Sequence, residues 1–123
     1  MNLEGWIVLP WPPSANRYWR TWRGRTCKST EAKRYQRDVA DVVRGKVPLL
    51  SGGVILQLLF HPPDRRRRDL DNMLKVTIDA LEGHVYENDS QVSLLVAARM
   101  DRIDKVPGLA LVHAAELKQE GEP

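Results

Sequence analysis

The fold is decided between residues 54 and 82, by the stretch VILQLLFHPPDRRRRDLDNMLKVTIDALE. Its first seven residues are almost continuously apolar, which predicts a short strand buried on both faces. Pro62 and Pro63 end this strand because proline cannot donate a hydrogen bond to a sheet. From residue 69 to about residue 82 the apolar positions recur with helical spacing and predict an amphipathic helix. Its apolar face consists of Leu70, Met73, Leu74, Ile78 and Leu81.

Further elements are predicted on both sides of this unit. Residues 5–9, 92–100 and 109–117 are short apolar runs that predict three more strands, the last two joined by a charged turn. Thr30 is a suitable N-cap for a helix that reaches about residue 44. Its apolar stripe consists of Tyr35, Val39, Val42 and Val43. Gly45 and Pro48 end this helix.

The order strand, helix, strand, helix, strand, strand predicts one α+β (mixed α/β) domain over residues 1–123. We expect a mixed sheet of about four strands and two main helices. Residues 10–28 predict a long basic, aromatic loop, and residues 116–123 a flexible tail.

Composition restricts the class of protein. Hydrophobic residues make up 42% of the chain and charged residues 28%, which is typical of a globular domain. The single cysteine, Cys27, cannot form an intrachain disulfide. The longest apolar run is too short to cross a bilayer and no signal peptide is evident, so we expect a soluble cytoplasmic protein without a membrane partner.

The net charge of +3 is unevenly distributed. Residues 1–46 carry ten Lys and Arg against four Asp and Glu, whereas residues 47–123 carry nine against twelve. A basic part beside an acidic part suits a protein that binds a polyanion and also holds divalent cations. Charge alone is equally compatible with an ordinary solvated surface.

Asp69 and Asp71 stand at the junction between the arginine-rich loop and the predicted second helix. An N-cap residue has extended backbone angles, so its side chain can turn toward a first-turn carboxylate at the positive end of the helix dipole. Asp89, just before the next strand, is the best-placed third carboxylate. Carboxylates of this kind hold Mg²⁺ in phosphodiester-cleaving enzymes. For Asp69 and Asp71 taken alone, helix capping is the competing interpretation.

Lys75 lies four residues after Asp71, on the same face of the helix. It either forms a salt bridge with that aspartate or, beside a metal, contacts the scissile phosphate. The preceding loop would place four positive side chains against flanking phosphates, or would form a generic patch for polyanions. These side chains are Arg65, Arg66, Arg67 and Arg68.

At these residues the sequence resembles the RusA family of Holliday junction resolvases. The matching segments are LPWPPS at 9–14 with Asn16, Arg17 and Tyr18, PDRRRRDLDN at 63–72, Lys75, DAL at 79–81 and VYENDSQV at 85–92. The PDRRRRDLDN segment is highly specific, whereas the final strand is not specific.

The resemblance implies a homodimer that binds four-way DNA junctions and nicks two strands symmetrically, with Mg²⁺ or Mn²⁺ and no organic cofactor. By position it makes Asp69, Asp71 and Asp89 the metal-binding catalytic carboxylates, and Lys75 a catalytic or phosphate-contacting base. Asn88 departs from the family, many of whose members have a second acid there. Since Asp89 is present, we expect an intact site in which Asn88 adjusts metal affinity at most.

The N-terminal segment interleaves aromatic and basic side chains, as proteins that contact phosphates and stack on bases do. The basic members are Arg17, Arg20, Arg23 and Arg25, and the aromatic members are Trp11, Tyr18, Trp19 and Trp22. We predict DNA contact for this segment, with Trp19 and Trp22 as its stacking residues. Packing of the aromatic side chains in a core or a dimer interface is the alternative. We expect Trp6 in the core and leave Trp11 open.

Three other functions are weighed against nuclease activity. A zinc site built from Cys27 and the three histidines (His61, His84 and His113) is disfavoured, because their spacing fits no zinc motif. A junction- or single-strand-binding protein without catalysis would have no use for the carboxylates, which repel phosphates unless a cation intervenes. A metal-dependent nucleotide hydrolase would need the carboxylates but no long basic surface.

Overall fold

The computed structural model describes residues 5–117, apart from the side chains of Asn16 and Trp22. In chain order the elements are β1 (Ile7–Pro10), α1 (Ala15–Tyr18), β2 (Trp19–Trp22), β3 (Arg25–Lys28), α2 (Thr30–Val43), β4 (Val54–His61), α3 (Leu70–Leu81), a 3₁₀ turn (Asp89–Gln91), β5 (Val92–Arg99) and β6 (Leu109–Glu116). The predicted tail lies, from residue 118 onward, outside the described residues.

Four strands form one mixed sheet in the order β1-β6-β4-β5. Strand β4 is antiparallel to β6 and parallel to β5, and β1 is antiparallel to β6. Parallel neighbours need a crossover connection, and α3 provides it between β4 and β5. The predicted α+β class, with a four-stranded mixed sheet and two main helices, is confirmed.

The core lies between the sheet and the two long helices. Along β4 the fully buried side chains are Val54, Leu56, Leu58 and Phe60, and the residues between them are partly exposed. Alternate residues of a strand face opposite sides, so one face of β4 is fully covered and the other only in part. Burial on both faces was predicted, and the structure corrects this to one face.

Both helices occupy the predicted segments, with local corrections. Ser29, not Thr30, is the N-cap of α2, and its hydroxyl accepts a hydrogen bond from the Ala32 amide at 3.1 Å. The buried face of α3 consists of Met73, Val76, Thr77, Ala80 and Leu81. Leu70, Leu74 and Ile78 are only partly buried and pack against the edge of the core, and α3 also contacts α2. Thr77 is buried without penalty since its hydroxyl donates to the Met73 carbonyl oxygen at 2.9 Å.

The predicted loop over residues 10–28 is wrong for residues 15–28. Residues 15–28 form α1 and an antiparallel hairpin of β2 and β3, which is a separate two-stranded sheet. Arg23 and Gly24 connect the strands with φ angles of 49° and 75°, so both central residues of the two-residue turn have positive φ. The usual Asn-Gly or Asp-Gly signal of such a turn is absent, which explains why the sequence did not predict it.

Strand β5 forms one edge of the sheet and exposes a row of large apolar side chains. Leu94, Leu95 and Val96 are 51%, 40% and 45% exposed, respectively. An apolar edge strand of this kind is a surface for pairing with another chain.

Trp6 is not part of the hydrophobic core that was predicted for it. It is half-buried and its ring lies 5.3 Å from that of His113. His113 pairs with Gln57, a residue on the partly exposed face of β4, so this contact lies opposite the helices. Of the described helices, none has the length and apolarity needed to cross a membrane.

Candidate active site

Asp69 and Asp71 lie together at the N-terminal end of α3. Asp69 is the N-cap residue, with extended backbone angles (φ −81°, ψ 129°), and Asp71 lies in the first turn. Both are exposed, and the Asp69 side chain makes no capping hydrogen bond. Helix capping therefore does not explain why an aspartate stands at position 69. The two acids stand at the N-terminal, positive end of the dipole of α3.

Lys75 is exposed on the same face of α3, one turn after Asp71. Among the described residues neither Asp71 nor Lys75 has an ion-pair partner within 4.0 Å. The salt bridge that the sequence offered as an alternative is therefore absent from the structure. Lys75 keeps its ammonium group available to an anionic ligand beside the acid pair.

The loop that carries Arg65, Arg66, Arg67 and Arg68, called the arginine loop below, is held by hydrogen bonds to Asp64. The sequence alone assigned no role to Asp64. Arg68 donates from Nη1 and Nη2 to the two Asp64 oxygens at 2.8 and 3.1 Å, and the Arg66 amide donates to Oδ1 at 2.9 Å. These hydrogen bonds, from Arg68 first and then Arg66, hold the pKa of Asp64 well below its usual value. The Arg68 guanidinium also lies 5.6 Å from the centre of the Trp11 ring.

The other arginines of the loop face solvent. Arg65, Arg66 and Arg67 line an open groove of about 790 Å³, together with Arg99 and Arg102. These last two were missed by the sequence analysis because they come from β5 and the turn after it. The groove is also lined by Asp64, Asp101 and Asp104, so its five arginines from two distant segments outnumber its three acids. An excess of positive side chains suits contact with a phosphate backbone.

A second cavity, of about 330 Å³, lies beside Asp69. Its walls include Trp11, Arg68, Asp69, Asn72 and Met73. Trp11 is half-buried, with its ring edge-on to Phe60 at 6.1 Å. The sequence left open whether Trp11 belongs to the core. In the structure Trp11 packs against Phe60 and lies beneath the Arg68 guanidinium.

Asp89 begins the 3₁₀ turn before β5. Asn88 caps this turn, its side chain accepting from the Ser90 amide at 2.8 Å while the Gln91 side chain accepts from the Asn88 amide at 2.9 Å. The side chain of Asn88 thus caps the turn, and Asp89 is exposed.

Asp89 lies at the opposite end of α3 from the acid pair within one chain. Its charge helps to raise the pKa of Tyr86, after the larger effect of burial, and the Tyr86 hydroxyl donates to the Ile78 carbonyl oxygen at 2.6 Å. Ile78 follows Asp71 by seven residues, about 10 Å along a helix. In the part of one chain that the structure describes, no group of three His, Cys, Asp or Glu side chains could hold a metal ion.

The N-terminal segment divides into buried and exposed parts. Tyr18 is fully buried, so for this aromatic side chain the alternative of packing in the core holds. Trp19 is 43% exposed and packs edge-on against Tyr18 at 5.1 Å. Arg17, Arg20, Arg23 and Arg25 are exposed. The side chain of Trp22, also predicted to contact DNA, lies outside the described residues.

The fold and the site define a small α+β domain that presents exposed carboxylates beside a basic groove, an arrangement suited to cleavage of phosphodiesters. The family model for the endodeoxyribonuclease RusA matches residues 10–111, so the chain belongs to this family. The crossover junction endodeoxyribonuclease RusA of Enterobacteria phage 82 is 46% identical over 89 residues, which are 70% of this chain and 74% of the relative. The proteins of that name from Escherichia coli K12 and Shigella sonnei are 45% and 44% identical over the same shares.

Proposed function

We propose that this protein is a Mg²⁺-dependent endonuclease that resolves four-way DNA junctions by paired, symmetric nicks. The observation that carries the proposal is the pair Asp69 and Asp71, exposed and without capping or ion-pair partners among the described residues, beside the arginine loop. The names of the relatives as crossover junction endodeoxyribonucleases supply the substrate. Its place of action in this proposal is the cytoplasm, in DNA recombination and repair.

The donor set fits a hard divalent cation. Mg²⁺ prefers oxygen ligands and is held by one or two carboxylates with water and phosphate oxygens completing the shell. Asp69, Asp71 and Asp89 supply only carboxylate oxygens, and we expect Mn²⁺ to substitute. When bound, the cation activates a water nucleophile and stabilises charge on the phosphate. No organic cofactor is part of the proposal.

The remaining side chains act on the DNA itself. Lys75, one turn from Asp71, donates to a non-bridging oxygen of the scissile phosphate or to the leaving oxygen, where negative charge develops. The arginine loop holds the phosphates on either side and fixes the strand in register with the acids. Asp64 keeps Arg68 in one orientation, which lowers the entropy lost on binding.

A second copy of the chain completes the site in this proposal. A two-fold axis across β5 would place the start of one β5 beside the end of its partner's β5. Asp89 of one protomer would then stand beside the acid pair of the other, which one chain cannot achieve. The exposed side chains of Leu94, Leu95 and Val96 on that edge support the pairing. A two-fold dimer also matches two symmetric nicks in a two-fold junction.

The test is a cleavage assay on three substrates, each with and without Mg²⁺. We expect nicking of a synthetic four-way junction in the presence of the cation, and neither cleavage of linear duplex nor hydrolysis of nucleoside triphosphates. Junction binding without cleavage under all conditions would favour the non-catalytic binding protein. Triphosphate hydrolysis without junction cleavage would favour the nucleotide hydrolase, and either result would overturn the proposal.

A further inference from the structure

The hairpin of β2 and β3 is joined to the rest of the domain mainly at its base. It forms its own two-stranded sheet and shares no strand pairing with the four-stranded sheet. Its described side chains from Trp19 to Cys27 are exposed. An isolated two-stranded hairpin is marginally stable in water, so its orientation depends on the contacts at its base.

At the base, three donors from three elements converge on one oxygen of Asp79 in α3. Lys28 Nζ, at the end of β3, lies 3.1 Å from Asp79 Oδ2. Gln36 Nε2, in α2, donates to the same oxygen at 3.0 Å. The hydroxyl of Tyr18, at the end of α1, donates to it as well. One carboxylate oxygen therefore connects both ends of the hairpin to the two long helices.

The cluster requires the negative charge of Asp79. Hydrogen bonds to an ionised acceptor are about twice as strong as neutral ones, and Lys28 needs an anion as its counterpart. Burial and then the hydrogen bond to Asp79 raise the pKa of Tyr18 far above its usual range, so Tyr18 remains a donor. The cluster is separate from the acid pair, because Asp79 lies two turns farther along α3 than Asp71.

The turn at the tip of the hairpin combines backbone strain, which lowers its local stability, with positive charge, which suits an anionic ligand. Arg23 has a φ of 49°, in the left-handed region, where asparagine or glycine is the low-energy choice in such a turn. A non-glycine residue in this region carries backbone strain. Together with Arg20 and Arg25 it makes the exposed part of the hairpin strongly basic, as a phosphate-binding element is.

We infer that Asp79 is a positioning residue for DNA binding, which acts by fixing the basic hairpin relative to α3 and the acid pair at its start. The inference rests on the proposed function for the identity of the ligand. Asp79 itself touches no DNA in this scheme. The arginines of the hairpin make the phosphate contacts, and the Asp79 carboxylate decides where they stand.

The experiment compares Asp79→Asn with Glu82→Gln, which removes a charge from the C-cap of the same helix without touching the cluster. Junction affinity is measured without Mg²⁺, and the nicking rate with Mg²⁺ at saturating junction. We expect Asp79→Asn to weaken binding about tenfold while the saturated rate stays within about threefold of wild type. Glu82→Gln should leave both unchanged. Lys28→Met is the second variant if Asp79→Asn fails to fold, and it should reproduce the loss of affinity in part.

A double-mutant cycle separates positioning from general destabilisation. In a background with Arg20→Ala and Arg25→Ala, Asp79→Asn should weaken binding by less than about twofold, because the contacts through which it acts are already lost. A full tenfold loss in that background would overturn the inference. So would unchanged affinity of Asp79→Asn, or a lower saturated rate at unchanged affinity.

Hydrogen exchange of the free protein makes the inference independent of DNA. The hairpin amides of residues 19–28 should exchange faster in Asp79→Asn, with the amides of β4 unchanged. Unchanged hairpin exchange would contradict the anchoring role even if the protein cleaves junctions. If the hairpin amides exchange faster in Asp79→Asn but the wild-type protein binds no junction, the proposed function is overturned. The role of Asp79 in anchoring the hairpin would still stand.

Discussion

Single residues decide which carboxylates of this chain remain available to a cation. An aspartate at the N-cap usually contributes about 1 kcal/mol to a helix through its capping hydrogen bond, and Asp69 makes none. Asn88, in contrast, caps the 3₁₀ turn that carries Asp89. The side chain of Asn88 thus provides the cap, and the Asp89 carboxylate takes no part in it. The acids face solvent, where a cation and a phosphate could reach them.

Asp71→Asn should abolish nicking while junction binding persists. The substitution removes charge from the cation site and leaves the arginine loop untouched, so the nicking rate should fall at least about a hundredfold. Single-turnover cleavage and a gel-shift assay measure the two quantities. Asp38→Asn, on the exposed face of α2, is the control. Cleavage by Asp71→Asn at a rate near wild type would remove this residue from the site.

Asp64 should titrate below the range of an ordinary aspartate. Its hydrogen bonds with Arg68 and Arg66 lower its folded pKa. The resulting stability is present above the unfolded pKa of about 3.9 and is lost as pH falls through the folded value. Because the pair is partly exposed, this contribution is small. Carbon NMR of the carboxyl should therefore find it ionised throughout the range above about pH 4, and Arg68→Ala should raise its midpoint. A midpoint at the ordinary value in the wild-type protein would contradict the pairing.

At the scale of elements, the β4-loop-α3 unit carries most of the proposed chemistry. The strand ends at His61, the loop presents the arginines, and the helix begins with the acid pair. A helix N-terminus usually attracts an anionic ligand such as phosphate. In this chain the N-terminus of α3 already carries two carboxylates of its own. A bound cation would reconcile these acids with a neighbouring phosphate.

Replacing Arg66 and Arg67 by Ala should weaken junction binding and flatten its salt dependence. Each phosphate contact contributes about 0.9 to the slope of log K against log salt, so the slope should fall by roughly two. The Arg66 side chain is 83% exposed, so little folding stability depends on it. Lys33→Ala with Arg34→Ala, both exposed on α2, removes the same charge elsewhere. An unchanged slope in the Arg66 and Arg67 variant would argue against phosphate contact by the loop.

At the scale of the whole molecule, the position of Asp89 determines what kind of assembly the function needs. Within one chain, α3 separates Asp89 from the acid pair, and the described residues contain no three-ligand cluster. The exposed edge at β5 is the surface on which a second copy would bring them together. The proposed dimer therefore builds each site from two protomers.

Subunit complementation tests this arrangement. Mixed dimers of Asp71→Asn with Asp89→Asn should regain one intact site and nick one strand, because one protomer still supplies the acid pair and the other still supplies Asp89. Mixed dimers of Asp69→Asn with Asp71→Asn should remain inactive, since both changes damage the acid pair. A nicking assay on co-refolded mixtures measures both. Absence of activity in the first mixture, with subunit exchange verified, would argue for sites within single protomers.

Much of the fold was predictable because strand and helix periods are local signals. The helix after the arginine loop begins and ends within one residue of its prediction, and the four sheet strands occupy the predicted segments. The hairpin was not predictable, because its turn uses Arg23 where the local signal would be asparagine or aspartate. The contacts of Asp64 with Arg68 depend on how one loop folds back, which no periodicity records.

The sequence by itself determined the α+β class, the position of the acid pair at a helix start and the run of arginines before it. These are properties of neighbouring residues, set by spacing and backbone preference. Only the tertiary structure decided that Asp89 lies at the far end of α3, that Arg99 and Arg102 join the groove, and that Asp79 collects three donors. Such contacts join segments far apart in the chain, and their distances follow from packing of the sheet and helices rather than from local sequence.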